Sequence, residues 1–177
     1  MNMRGFFMFV AAGAMLIGSI LPGFAQDDAY VYSCAREAAQ AGDRDAAFSY
    51  CHSLLHYGEA SPYYQDALFA VGEYYFEHGD YGGSAAVLIT LLNAYPQGKA
   101  MPFAALFLLR IDESAHRMMP SDDLKKKIIT FKQLSLLFSE YKEYAYNSPL
   151  GNRYKAVYFI DKVEFYVDDQ ILAIVAY

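Results

Sequence analysis

Tryptophan is missing from the 177 residues and cysteine occurs twice. Charge is thin, with 14 lysines and arginines against 20 aspartates and glutamates, a formal net charge of -6. Each scarcity argues against something. A net acidic chain does not spread the basic surface that neutralises phosphates, so nucleic acid is not expected as a partner. Two soft ligands are too few for a thiolate metal centre, and neither a metal nor a cofactor is expected. No segment alternates apolar and polar residues over strand length, so no sheet is expected. What is plentiful is aromatic, 17 tyrosines and 13 phenylalanines, which suits aromatic-packed helices better than a disordered tail.

The chain opens with Met1, Asn2, Met3 and Arg4, runs apolar from Phe6 to Leu21, and passes Pro22-Gly23-Phe24-Ala25 before Gln26 and the acidic Asp27-Asp28. A basic start, an apolar middle and small residues at Gly23 and Ala25 make a secretory signal peptide over 1–25, cleaved after Ala25. The run also approaches the roughly 18 apolar residues that span a bilayer; Pro22 and the small-residue site argue against an uncleaved anchor. Cys34 lies too far downstream, behind two aspartates, to be a lipid attachment site. The expected product is one domain, 26–177, in the oxidising periplasm. The sequence stops inside Ile171-Leu172-Ala173-Ile174-Val175-Ala176-Tyr177 without a stop signal, so the last helix caps the array or the chain is a piece of something longer.

One corner repeats. Ala41-Gly42-Asp43 returns as His78-Gly79-Asp80 thirty-seven positions later, each time between stretches with apolar residues at three- and four-residue spacing. Leu68, Val71, Gly72 and Tyr75 share one helix face, and the small Gly72 lets a second helix with Ser84, Leu88 and Leu91 come close. Gly79 ends the first helix and Asp80 caps the second. The glycines of "GEYYFEHGDYGGSAA" therefore make a hairpin; the lysine and the strand of a phosphate-binding loop are missing. With Ser61-Pro62, Pro120-Ser121-Asp122-Asp123 and Ser148-Pro149 read as helix starts, helices fall near 28–41, 44–57, 62–78, 81–94, 100–117, 122–145 and 149–177. The expected fold is all-α: an α-solenoid of about three tetratricopeptide-like hairpins plus a C-terminal helix.

The stretch "ALFAVGEYYFEHGDYGGSAAVLITLLNAYPQGKA" resembles periplasmic tetratricopeptide-repeat proteins of the BamD and YbgF type, the outer-membrane assembly lipoprotein and the Tol-Pal-associated protein. Gly72-Glu73-Tyr74-Tyr75, Gly79-Asp80-Tyr81 and Leu91-Leu92-Asn93-Ala94-Tyr95-Pro96 carry it, strongly over 67–100 and loosely elsewhere. The lipidated cysteine and the later repeats of that family are missing. The resemblance implies a non-enzymatic scaffold that binds proteins or peptides in envelope assembly, associated with the outer membrane through its partners, and brings no catalytic residues.

Cys34 and Cys51 sit symmetrically about the first bend, at equal height on facing helices, where a disulfide can form if the Cα atoms approach within about 7 Å. It would close a loop of about 17 residues and stabilise the chain by roughly 3 kcal/mol; two buried free thiols are the other reading. His52 and His56 have zinc-like i, i+4 spacing without a third ligand and read as a solvated face. His78 and His116 read as partners of terminal carbonyls. Ser139-Glu140-Tyr141-Lys142 matches S-x-x-K without its companion motif, and Lys125 to Lys127 beside Asp122 and Asp123 read as a solvated face. Asp27-Asp28, Asp122-Asp123 and Asp168-Asp169 supply caps and surface charge rather than acid-base pairs.

The face of the third helix opposite Gly72 carries Asp66, Phe69, Glu73 and Phe76. Shifting the register gives Tyr32 and Arg36 before it and Phe107 and Ile111 after it. These residues line a groove suited to an extended or helical peptide, unless neighbouring helices bury the rings. A partner-binding adaptor is therefore expected, against a structural protein whose groove holds its own C-terminal helix and a small helical enzyme using His52, His56 or Ser139.

Overall fold

The computed structural model describes residues 27–114, 121–131 and 141–177. The expected signal peptide over 1–25, His116, Ser139 and the Pro120 end of the predicted 122–145 helix start lie outside the described residues. Two helical hairpins come first. Helix α1 (Asp28–Gln40) returns as α2 (Arg44–Leu54), and α3 (Tyr64–Glu77) returns as α4 (Tyr81–Ala94). Both corners follow one design: Gly42 and Gly79 take φ values of 81° and 77°, which cost glycine little. At the second, Gly79 N–H donates to Phe76 O at 3.1 Å and Asp80 N–H to Tyr75 O at 2.9 Å, the paired bonds that close a helix C-terminus. Asp43 and Asp80 then accept from Ala46 N–H and Gly83 N–H, capping the next helix. Ser61 Oγ accepts from Tyr63 N–H, one step ahead of α3.

Gly72 has the predicted role. A Cβ there would lie 2.5 Å from Leu88 Cδ2, and the space instead admits Ser84, whose hydroxyl donates to Gly72 O at 2.8 Å. Helix α5 (Met101–Glu113) packs on α4, and α6 (Ser121–Thr130) on α5.

The remainder overturns the all-α solenoid. Residues 142–176 form a four-stranded antiparallel meander in the order β1-β2-β3-β4, comprising β1 (Lys142–Asn147), β2 (Arg153–Tyr158), β3 (Lys162–Val167) and β4 (Gln170–Ala176). The fold is mixed α and β, and the predicted C-terminal helix over 149–177 does not exist. Ser148-Pro149 opens a turn, not a helix: Ser148 N–H donates to Asn152 O at 2.9 Å and Gly151 takes φ 99°. Asp168 and Asp169, with φ of 45° and 65°, form the two-residue β3-β4 hairpin turn, whose twist requires positive φ at both positions.

The inner face of the sheet carries Tyr144, Tyr146, Tyr154, Ala156, Tyr158, Val163, Phe165, Ala173 and Val175. It joins Phe69, Phe103, Phe107 and Leu106 of α3 and α5 in one core. Those two helices are covered on both sides, and the consecutive residues Ala67 to Glu73 and Met101 to Leu109 are all buried. Among the described residues, no helix is long and apolar enough to cross a membrane.

Candidate functional site

The surface on which α3 meets the sheet gathers most of the buried polar chemistry. Asp66, Phe69, Glu73 and Phe76 share one side of α3, as helical spacing requires. Phe69 meets Tyr146 and Tyr154 edge-on, with ring centroids 5.0 and 5.3 Å away, and Phe107 lies 5.9 Å from Phe69 and 6.0 Å from Tyr154. A carboxylate flanks the rings at each end. Asp66 accepts from Tyr32 of α1 at 2.9 Å and from Tyr146 of β1 at 3.0 Å.

Glu73, two helical turns on, is fully buried. Its Oε1 accepts from Asn152 Nδ2 at 2.5 Å and Tyr154 OH at 2.7 Å, and its Oε2 from the Ser148 hydroxyl. Arg44, at the start of α2, ties the same turn to the helices through Leu150 O (3.2 Å), Asn152 Oδ1 (3.0 Å) and Glu77 (2.6 Å), and approaches Glu73 to 3.9 Å. Leu150 is buried against Ala35, Ala47 and Cys51 of the first hairpin. The β1-β2 turn is thus plugged between the hairpins, with Glu73 at its centre.

Burial pushes the Glu73 carboxyl up to about 7, the hydrogen bonds from Ser148 and Tyr154 pulling against it. Burial and the adjacent Glu73 charge hold the Tyr154 hydroxyl well above the ordinary tyrosine range. Burial and Asp66 do the same to Tyr146. Both oxygens of Glu73 are occupied by donors from the sheet and its turn. The arrangement clamps the sheet to the helices.

The seven predicted groove residues divide accordingly. Phe69, Glu73, Phe107 and Ile111 are buried, Phe76 is half-buried against Phe107 and Tyr81, and Tyr32 is half-buried, stacked on Tyr63. Arg36 is exposed. The open concave face expected for them is covered by β1 and β2. Sequence reasoning missed the roles of Ser148, Asn152, Tyr146 and Tyr154, because the expected helices 122–145 and 149–177 leave Tyr146 in a connection, make Ser148 a helix cap and place Asn152 and Tyr154 in a helix. Their signal was the alternation of tyrosine with charged or small residues in Lys142-Glu143-Tyr144-Ala145-Tyr146 and Arg153-Tyr154-Lys155-Ala156.

Cys34 and Cys51 lie on the two helices of the first hairpin as free thiols, in place of the expected disulfide. Burial pushes the Cys51 thiol up to about 12, far from a reactive thiolate. His52 and His56 are exposed neighbours, ring centroids 6.3 Å apart. Among the described residues, no group of three or more His, Cys, Asp or Glu could hold a metal ion. His78 Nδ1 lies 2.7 Å from Tyr74 O, a partner for a helix-terminal carbonyl.

The fold and this site define a class: a pair of helical hairpins and two further helices whose inner face is occupied by the chain's own antiparallel meander, locked by a buried carboxylate. The sequence matches no family model, and no curated protein matches it.

Proposed function

We propose that this chain is an exported, non-enzymatic accessory protein of the cell envelope, with its concave helical face permanently filled by its own sheet. Export is proposed from the basic, apolar and small-residue order of the first 25 residues. The observation that carries the structural part is the fate of Phe69 and Phe107. Instead of a ladder of anchors presented to a peptide, they are core rings enclosed by Tyr146 and Tyr154. The polar groups around them are bonded to one another, which supports a structural role over a catalytic one. Protein or peptide partners of the envelope would meet surfaces outside this contact.

The test is Phe69→Ala alongside Phe107→Ala. Emptying a buried phenylalanine site removes about 3 to 5 kcal/mol of stability, so the urea midpoint and the thermal transition should both fall steeply. Retained stability in both variants would restore the open groove and end the self-filled reading. Export is checked separately, by the mass of the periplasmic product, which should begin at Gln26.

A further inference from the structure

Arg36, the predicted groove residue left exposed, borders a cavity of about 280 Å³ between α1 and the rim of the sheet. Arg153, the first residue of β2, borders the same cavity, with Gln40 one turn beyond Arg36 and Asn147 at the end of β1. Among the described residues Arg36 takes part in no ion pair. Arg153 reaches Asp168 and Asp169 at 3.4 Å through Nε and Nη2, exposed pairs of the kind that hold weakly in water. Its Nη1 is not used in either. Two arginines thus border one cavity of a chain whose net charge is -6. The ion pairs account for part of the Arg153 fork and, among the described residues, for none of Arg36.

We propose that this cavity binds an oxyanion, the carboxylate or phosphate group of a small ligand, between the guanidinium groups of Arg36 and Arg153, with the amides of Gln40 and Asn147 donating beside them. The planar fork of arginine matches two oxygens of either group. The volume lies just below the roughly 300 Å³ at which ligand pockets begin, so the ligand is small or only its end enters. One wall is the turn from Ser148 to Gly151, already fixed by the Ser148 bond to Glu73 and the Arg44 bond to Leu150 O. That turn lies close against α1: a Cβ on Gly151 would stand 3.8 Å from Ala39 Cβ. A wall held this firmly requires little ordering when a ligand arrives. The site does not depend on the proposed role in the envelope.

The test is calorimetric titration of the full chain at low ionic strength with three probes: inorganic phosphate, N-acetyl-alanyl-alanine, and the C-terminal amide of that dipeptide. Saturable binding of phosphate or of the free acid is expected, with the amide inert and affinity about tenfold weaker in Arg36→Gln and in Arg153→Gln. Arg36→Lys, which keeps the charge and loses the fork, should fall between. Which anion binds more tightly identifies the ligand group. Failure of both anions to saturate below about 10 mM, or undiminished binding by a folded Arg36→Gln variant, overturns the proposal.

Discussion

Replacing Glu73 with glutamine should remove a pH dependence from the fold. Burial raises this carboxyl from 4.5 to about 7, with Glu77 adding to the rise while Ser148, Tyr154 and Arg44 oppose it. The folded chain therefore holds the proton more tightly than the unfolded chain. The resulting stability is fully present below about pH 4.5 and is lost as pH rises through 7. At about 1.4 kcal/mol per pH unit, a gap of that size corresponds to roughly 3 kcal/mol. Urea unfolding followed by far-ultraviolet circular dichroism at about pH 5, 6, 7 and 8 reads the slope. Wild-type stability should decline relative to Glu73→Gln over this range, because an amide does not titrate. Subtracting the two curves cancels the contributions common to both chains. Parallel curves, or a wild type that gains on the variant as pH rises, would refute the claim that burial in the fold raises the Glu73 carboxyl.

Three further outcomes follow from the packing. Tyr154→Phe leaves a Glu73 oxygen with one donor fewer and should lose about 1 to 3 kcal/mol, whereas Tyr158→Phe should lose nothing. The Tyr158 hydroxyl is buried with no hydrogen-bond partner among the described residues; equal losses in the two variants would contradict this. Gly72→Ala brings a Cβ within 2.6 Å of both Leu88 Cγ and Cδ2, so overpacking of about 1 to 3 kcal/mol should exceed the roughly 1 kcal/mol gained in helix propensity. A thermal midpoint at or above wild type would show that the two hairpin helices can separate there. Finally, Cys51 should resist iodoacetamide in the native protein and react once urea is added, mass spectrometry showing two alkylated thiols without reductant. Native labelling of Cys51, or a bridged pair, would contradict the free buried thiol.

The helical hairpins were legible because their signals are local and redundant. Gly42 and Gly79 each stand where a helix needs positive φ to end, Asp43 and Asp80 follow as caps, and Gly72 answers Leu88 across the pair. The strands were not legible for a reason of length. Over six residues, a period-two pattern places inward residues at i, i+2 and i+4, and the outer two also satisfy a helical i, i+4 spacing. Tyr154 and Tyr158, or Val163 and Val167, read either way. Tyrosine on the inward face removed the apolar contrast that would have decided it, and Asp168-Asp169 is a weaker turn signal than an aspartate or asparagine followed by glycine. The face of α3 was correctly assigned to Asp66, Phe69, Glu73 and Phe76. Its occupant was misread along with the segment that supplies it.

Composition did contain a way to that occupant. A helix with one covered side shows an apolar stripe about 100° wide, and a helix apolar all round must be covered all round. In Met101-Pro102-Phe103-Ala104-Ala105-Leu106-Phe107-Leu108-Leu109 no polar residue interrupts two and a half turns, so α5 could not have lined an open groove. The solenoid reading left one side of α5 facing water, which at about 25 cal/mol per Å² of apolar surface would expose several large side chains at 1.5 to 3 kcal/mol each. A second layer was required. Among the described residues, those after α6 form it, and Asp66 and Glu73 of α3, each taking hydroxyl donors from tyrosines, fix where that layer lands.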